Sequence, residues 1–189
     1  MNHVEGERSG AGGRKLFWQA WLPEGDVRAV VVVAHGGNEH GGRYTNLVER
    51  LVPAGYAVYA QDHRGHGRSD GPRGLLDRMS NVLEDLDGFV THAATAHPGA
   101  PLFLLGHSVG GCISALYAER HQDRLRGLVL SSPVADVGET SLALRLAAKV
   151  LTVIAPRLGV IEVEASGISR DPQEVRRYDD DPLVHRGKL

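Results

Sequence analysis

The chain has 189 residues, 42% hydrophobic and 23% charged, with a formal net charge of −2 at pH 7. That is enough for one globular domain with a sizeable core, and nothing in the charge balance suggests a nucleic-acid partner. Cys112 is the only cysteine, which excludes an intramolecular disulfide. Residues 1–15 are polar and Gly-rich and lack the apolar core of a secretory signal. The longest apolar stretch, near residues 142–156, carries Arg145 and Lys149 and is too short to span a bilayer, so a cytoplasmic protein is the default expectation.

Residues 2–8 and Lys15–Trp21 read as a hairpin at a sheet edge, with Gly10, Gly12 and Gly13 between them. Ala29–Ala34 holds four consecutive valines, the pattern of a strand buried on both faces in a helix-covered parallel sheet. Residues 43–54 predict a helix with Leu47, Val48, Leu51 and Val52 apolar and Gly55 as its stop, and Tyr56–Ala60 is the next strand. Ser80 is the expected N-cap of a helix reaching about residue 96, with Glu84 and Asp85 near its positive end. Its apolar face is Val82, Leu86, Phe89, Val90 and Ala93.

Leu102–Leu105 reads as a buried strand. The helix after Ser108 carries Cys112, Ile113, Ala115, Leu116 and Ala118 at helical spacing, with Cys112 expected buried, and Gly127–Leu130 is a further strand. This alternation predicts a right-handed α/β wrap for residues 1–132. The rhythm breaks at 133. Leu142–Ala155 is a helix whose polar positions Arg145, Lys149 and Thr152 leave a wide apolar face, and Ser169–Asp181 is polar and Asp-rich without strand character. Residues 133–189 therefore read as an insertion over the sheet.

The chemistry centres on Gly106-His107-Ser108-Val109-Gly110. With 24 glycines in the chain the pattern alone is weak; its position between an apolar strand and a small-residue helix makes it a nucleophile elbow. Gly106 and Gly110 allow the tight turn and close packing, and the helix start aims its free N–H groups at the reacting centre. The Val109 N–H is one oxyanion donor. The loop His35-Gly36-Gly37-Asn38-Glu39-His40 supplies the candidate second donor, the Gly37 N–H; one such donor is worth about 3–4 kcal/mol in the transition state. His35, Glu39 and His40 lack the spacing of a compact metal site, so neither metal nor cofactor is expected. Asp62-His63-Arg64-Gly65-His66-Gly67-Arg68-Ser69 lacks the ending of a phosphate loop and reads as structural, with Asp62 and Arg64 fixing a loop near the site.

Together these segments resemble the α/β-hydrolase fold, specifically its monoacylglycerol lipase and lysophospholipase family. The resemblance covers nearly the whole chain. It rests on His35 to His40 with Arg43-Tyr44, on Asp62 to Ser69, on Gly106 to Gly111, and on Ala147-Ala148-Lys149, Ile168 to Asp171 and Asp181-Pro182-Leu183-Val184-His185. It implies a mostly parallel sheet wrapped by helices, Ser108 as nucleophile, Gly37 and Val109 as the oxyanion hole, and no cofactor or metal. It also implies a helical cap from residue 133 onward that forms a lipophilic tunnel and takes a small lipid ester; the apolar face of Leu142–Ala155 suits transient contact with a micelle or membrane surface, contact with the substrate tail, or packing on the core below. Two positions depart from the family pattern. Asn38 stands where Gly is usual, and Asn tolerates the left-handed conformation; Val109 stands where Met is frequent, and only its backbone acts.

In this fold the acid and histidine of the triad follow later strands. After residue 131 nothing reads as a core strand, and Asp136, Asp171, Asp179, Asp180 and Asp181 fall in the insertion. His121 lies roughly 20 Å along the helix from Ser108, at 1.5 Å per residue. His107 is expected to point elsewhere, and His185 belongs to the cap motif. The expectation is the N-terminal part of a longer hydrolase, without its C-terminal strands or its triad Asp and His, and with Gly127–Leu130 as an exposed edge. Loss of the triad costs on the order of 10⁶ in kcat, so little or no turnover is expected from these residues alone. The expected family activity is cleavage of a carboxylic ester, a monoacylglycerol giving fatty acid and glycerol through an acyl-enzyme on Ser108. A lysophospholipase, a general carboxylesterase and a non-catalytic acyl-lipid-binding remnant are the alternatives.

Overall fold

A single mixed sheet organises the computed structural model, which describes residues 1–134 and 167–187. Strands β1 (Asn2–Ser9) and β2 (Lys15–Leu22) form the expected hairpin, registered from Asn2 opposite Leu22 to Ser9 opposite Lys15. Strands β3 (Ala29–Ala34), β4 (Tyr56–Gln61), β5 (Leu102–His107) and β6 (Gly127–Ser131) complete a sheet of order β1-β2-β4-β3-β5-β6. β2 meets β4 antiparallel, whereas β4, β3, β5 and β6 run parallel.

The valine run explains the layering. Val30 and Val32 pack on one face with residues of helices α2 (Met79–Ala96) and α3 (Val109–Arg120). Val31 and Val33 pack on the other with Val48 and Val52, from and just beyond helix α1 (Thr45–Leu51). Side chains alternate across a strand, so covering both faces requires apolar residues at every position. The expected face of α2 is buried throughout: Val82, Leu86, Phe89, Val90 and Ala93 join the core around Tyr59 and Leu104. Each such side chain contributes about 1.5–3 kcal/mol on burial.

The chain leaves β3 in one direction to β4, then crosses back to β5. The crevice beyond the C-terminal ends of β3 and β5 is thus a topological switch point, where open α/β sheets place their ligands.

Several local expectations change. α2 begins at Met79 with Arg78, not Ser80, at its N-cap and no side-chain cap. Asp77, at φ 63°, instead takes the Asn81 side chain at 2.9 Å and sets the earlier start. Asp85 is not a first-turn helix charge; it is buried and accepts from Arg64 Nε at 2.7 Å. The helix expected over 43–54 is split into a 3-10 turn, Gly41–Tyr44, and the shorter α1. On α3, Ile113 and Tyr117 are buried while Ala115 and Leu116 face out, and Cys112 is only half-buried.

The Asp-rich stretch contains helix α4 (Pro172–Asp179), with Asp171 accepting from Gln173 N–H at 2.8 Å as its N-cap. Asp followed by Pro at the first helical position was the available signal. The expected helix Leu142–Ala155 lies outside the described residues. Among the described residues no helix is long and apolar enough to cross a membrane. β6 is an edge strand, and Leu128, Val129 and Leu130 are exposed.

Candidate active site

Ser108 stands between β5 and α3 with φ 52° and ψ −118°, a left-handed backbone that L side chains rarely adopt. It is held there by the chain around it. Its N–H donates to Ser131 O at 2.9 Å, and its carbonyl accepts from Gly111 N–H at 2.9 Å and Val134 N–H at 3.1 Å. The glycines of the elbow are close-approach residues. A Cβ on Gly106 would meet Gly110 O and Ser114 Oγ, and one on Gly110 would meet the carbonyl oxygens of Ala34 and His35. The start of α3 is therefore pressed onto the end of β3, which brings Ser108 beside the loop His35–His40.

Within that loop Glu39 determines which amides remain available. Glu39 Oε1 accepts from Gly36 N–H at 2.6 Å and from Tyr44 Oη–H at 2.8 Å. Burial, with the Glu39 carboxylate beside it, raises the Tyr44 phenol far above its ordinary pKa, so it stays a donor. With the Gly36 amide occupied, the N–H groups of Gly37 and Val109 find no acceptor among the described residues. Both residues line, with Ser108, a cavity of about 620 Å³ whose other walls include Leu47, Leu105, Val134 and Ile168.

Beneath the loop, Asp62 takes Gly41 N–H and Arg68 N–H, each at 2.8 Å. His35 Nε2 accepts from His63 N–H at 2.8 Å, and its Nδ1–H donates to Gly36 O at 2.7 Å. His63 Nε2–H in turn donates to His35 O at 3.1 Å, and His66 Nδ1–H donates to Arg64 O at 3.0 Å. Burial, with the neighbouring imidazoles, holds all three histidines neutral; His63 is pushed down to about 3. These rings are structural struts under the loop.

Residues Asp181–Gly187 cross above it. Gly42 N–H donates to His40 Nδ1 at 3.2 Å, so the His40 proton sits on Nε2 and goes to Asp181 Oδ2 at 2.9 Å. Burial alone would raise the Asp181 carboxyl, but the His40 and Leu183 donors and the nearby Arg43 hold it below the usual carboxylate range. Arg43 stacks over the Tyr178 ring of α4 at 4.9 Å.

Residues 25–189 match the family model described as serine aminopeptidase, S33. The chain belongs to this S33 family. It is similar to a monoacylglycerol lipase of Mycolicibacterium smegmatis, 44% identical over 182 residues that make up 96% of this chain and 65% of that protein. It is 38% identical over 181 residues to human monoglyceride lipase, spanning 95% of this chain and 60% of that one. The crystal structure of Paleococcus ferrophilus monoacylglycerol lipase superposes with a TM-score of 0.75 at 36% identity, over 90% of this chain and 64% of that chain. The S33 chain thus spans 65% and 60% of the lengths of these two curated relatives, and its fold is that of the α/β-hydrolases.

In this S33 chain the sequence-derived trio Ser108, Gly37 and Val109 comes together at one cavity. His107 lines the same cavity, but among the described residues no histidine considered as a base is hydrogen-bonded to Ser108. His107 Nδ1 turns to Ser131 O at 3.1 Å, and His121 stacks on Tyr117 with ring centroids 4.5 Å apart. His185 lines a separate cavity of about 560 Å³ with Gly65, His66 and Gly67. Of the acids, Asp171 caps α4, Asp179 and Asp180 are exposed, Asp181 holds His40, and Asp136 lies outside the described residues. No group of three or more His, Cys, Asp or Glu side chains among the described residues is placed to hold a metal. The roles of Glu39 and Asp181 in shaping the loop were not read from the sequence. The carboxylate at 181 meets its partner 141 residues away, and no local pattern encodes that.

Proposed function

We propose that Ser108 is the nucleophile of a serine esterase that cleaves monoacylglycerols, with the Gly37 and Val109 amides as its oxyanion hole. One observation carries this reading: Ser108 is held at φ 52° on the strand-to-helix turn, beside two amides without acceptors among the described residues. Ser108 Oγ adds to the ester carbonyl, its proton passing to a base. The two amides receive the developing negative charge, and glycerol departs carrying a proton. Water then adds to the acyl-enzyme and releases the fatty acid. The described residues supply nucleophile and oxyanion donors, and no imidazole among them is hydrogen-bonded to Ser108.

The cavity and the relatives support this substrate class. Leu47, Leu105, Val109, Val134 and Ile168 offer an apolar wall suited to an acyl chain, and the named relatives are monoacylglycerol and monoglyceride lipases. In this reading residues 1–132 are core and 133–189 a cap that contacts lipid surfaces transiently, in the cytoplasm and without cofactor or metal.

The test is fluorophosphonate labelling read by intact mass, with Ser108→Ala as control, beside hydrolysis of a monoacylglycerol and a lysophospholipid. With a base supplied to Ser108 from outside the described residues, the expected result is stoichiometric labelling lost in the control and faster monoacylglycerol cleavage; without one, little label or turnover is expected. Faster lysophospholipid cleavage would make the protein a lysophospholipase. A folded protein that has such a base and binds fatty acid but takes no label would be an acyl-lipid binder and would overturn the reading.

A further inference from the structure

We infer that the strap Asp181–Gly187 is a positioning element for the oxyanion loop, acting through Asn38 and His40. This rests on the proposal that the Gly37 N–H is an oxyanion donor. Three hydrogen bonds tie strap to loop across more than 140 residues of sequence: His185 N–H to Asn38 O at 2.8 Å, Asn38 Nδ2–H to Gly187 O at 3.1 Å, and His40 Nε2–H to Asp181 Oδ2 at 2.9 Å. Arg43 adds its charge 3.8 Å from the same Asp181 carboxylate. All three loop anchors lie within six residues of Gly37. Glu39 and Asp62 hold the loop through its own amides and from below, so the strap closes the remaining side.

Asn38 gives the inference its sharpest form. The residue sits at φ 64°, where glycine carries no steric penalty, and it is 1% exposed with its Oδ1 buried and unpaired. Glycine would avoid both costs. What asparagine adds is the Nδ2–H bond to Gly187, and that bond bridges the residue after Gly37 to the far end of the strap. The strap also continues from α4, whose Glu174 and Tyr178 line the Ser108 cavity, so the loop and the cavity wall are fixed by one segment.

The experiment compares Asn38→Gly, Asn38→Asp and Asp181→Asn with the unaltered chain. Hydrogen exchange is read on the amides of Gly36, Gly41, Gly42 and Arg43, all bonded within or beneath the loop. Each variant is expected to speed their exchange about ten-fold, the equivalent of one net hydrogen bond, with β3 and β5 unchanged. Asn38→Asp keeps tolerance of the left-handed backbone but loses the donor and buries a carboxylate, so it should speed exchange at least as much as Asn38→Gly. Where Ser108 turns over substrate, the same variants should lower kcat about ten-fold and leave KM within two-fold, the signature of an interaction made in the transition state. Unchanged loop exchange, or exchange raised equally throughout the sheet, overturns the inference, as does a change confined to KM. Exchange needs no turnover, so it decides the strap contact even if Ser108 takes no label and the esterase reading fails.

Discussion

Acid should destabilise this fold through three histidines before its carboxylates titrate. His35, His63 and His66 are 0%, 5% and 1% exposed, and each spends its one ring proton on a backbone carbonyl. Protonating His35 would break the bond its Nε2 accepts from His63 N–H. His66 also faces His185 and Arg73, which further oppose a positive charge.

In the unfolded chain each imidazole titrates near its ordinary value of about 6.5. A folded-state pKa depressed below that leaves stability intact above about pH 6.5, and stability is lost as pH falls toward the folded value. For His63 the loss continues to about 3. Between pH 7 and pH 5 the neutral His63 removes about 2 kcal/mol, and His35 and His66, lowered by the same burial, add to that loss. Urea titrations followed by circular dichroism at pH 7, 6 and 5 measure this directly. His66→Asn keeps the donor to Arg64 O without the titrating ring and should recover part of the loss. Equal urea midpoints at pH 7 and pH 5, or an unchanged loss in His66→Asn, would refute the reasoning.

Gly110→Ala places a methyl group against the Ala34 and His35 carbonyl oxygens. It should cost about 1–3 kcal/mol by overpacking, read in urea, and should slow phosphonate labelling by shifting Ser108 from the Gly37 loop. Asp85→Ala strips the buried Arg64 of its 2.7 Å partner and leaves Ala11 N–H unpaired, and should cost about 3–5 kcal/mol, seen as a lowered melting temperature. On the β6 edge, Leu128, Val129 and Leu130 are 37%, 49% and 41% exposed, so the chain should self-associate. Val129→Lys should reduce that association in sedimentation velocity, and an unaltered distribution would remove the edge as its cause.

The sequence by itself determined the elements whose signals are local. Four consecutive valines can be satisfied only by a strand covered on both faces, and β3 is that strand. The five apolar positions of α2 fall on one face at helical spacing and are buried together. The strand-to-helix turn at Ser108 was legible from the apolar strand before it and the small-residue helix after it, Val109 as the next residue of that turn, and Gly37 from the separate Gly-rich loop after Ala29–Ala34; all three line one cavity. Boundaries were less so. The start of α2 depends on Asp77 turning to bind Asn81 and Arg64, a choice that Ser80 could not reveal.

Only the tertiary structure decided what holds the loop. Asp85 looked like a helix-end charge and became the partner of a buried arginine, because the hairpin and the Asp62–Ser69 loop close over it. His35, His63 and His66 were read as loop residues, and their neutrality follows from burial that no spacing predicts. Asn38 read as a departure from a glycine pattern, and it became a tether because the strap ends beside it. Periodicity and capping report energies exchanged within a few residues, whereas these contacts join groups 21 to 149 residues apart, and their worth exists only once the chain has folded around them.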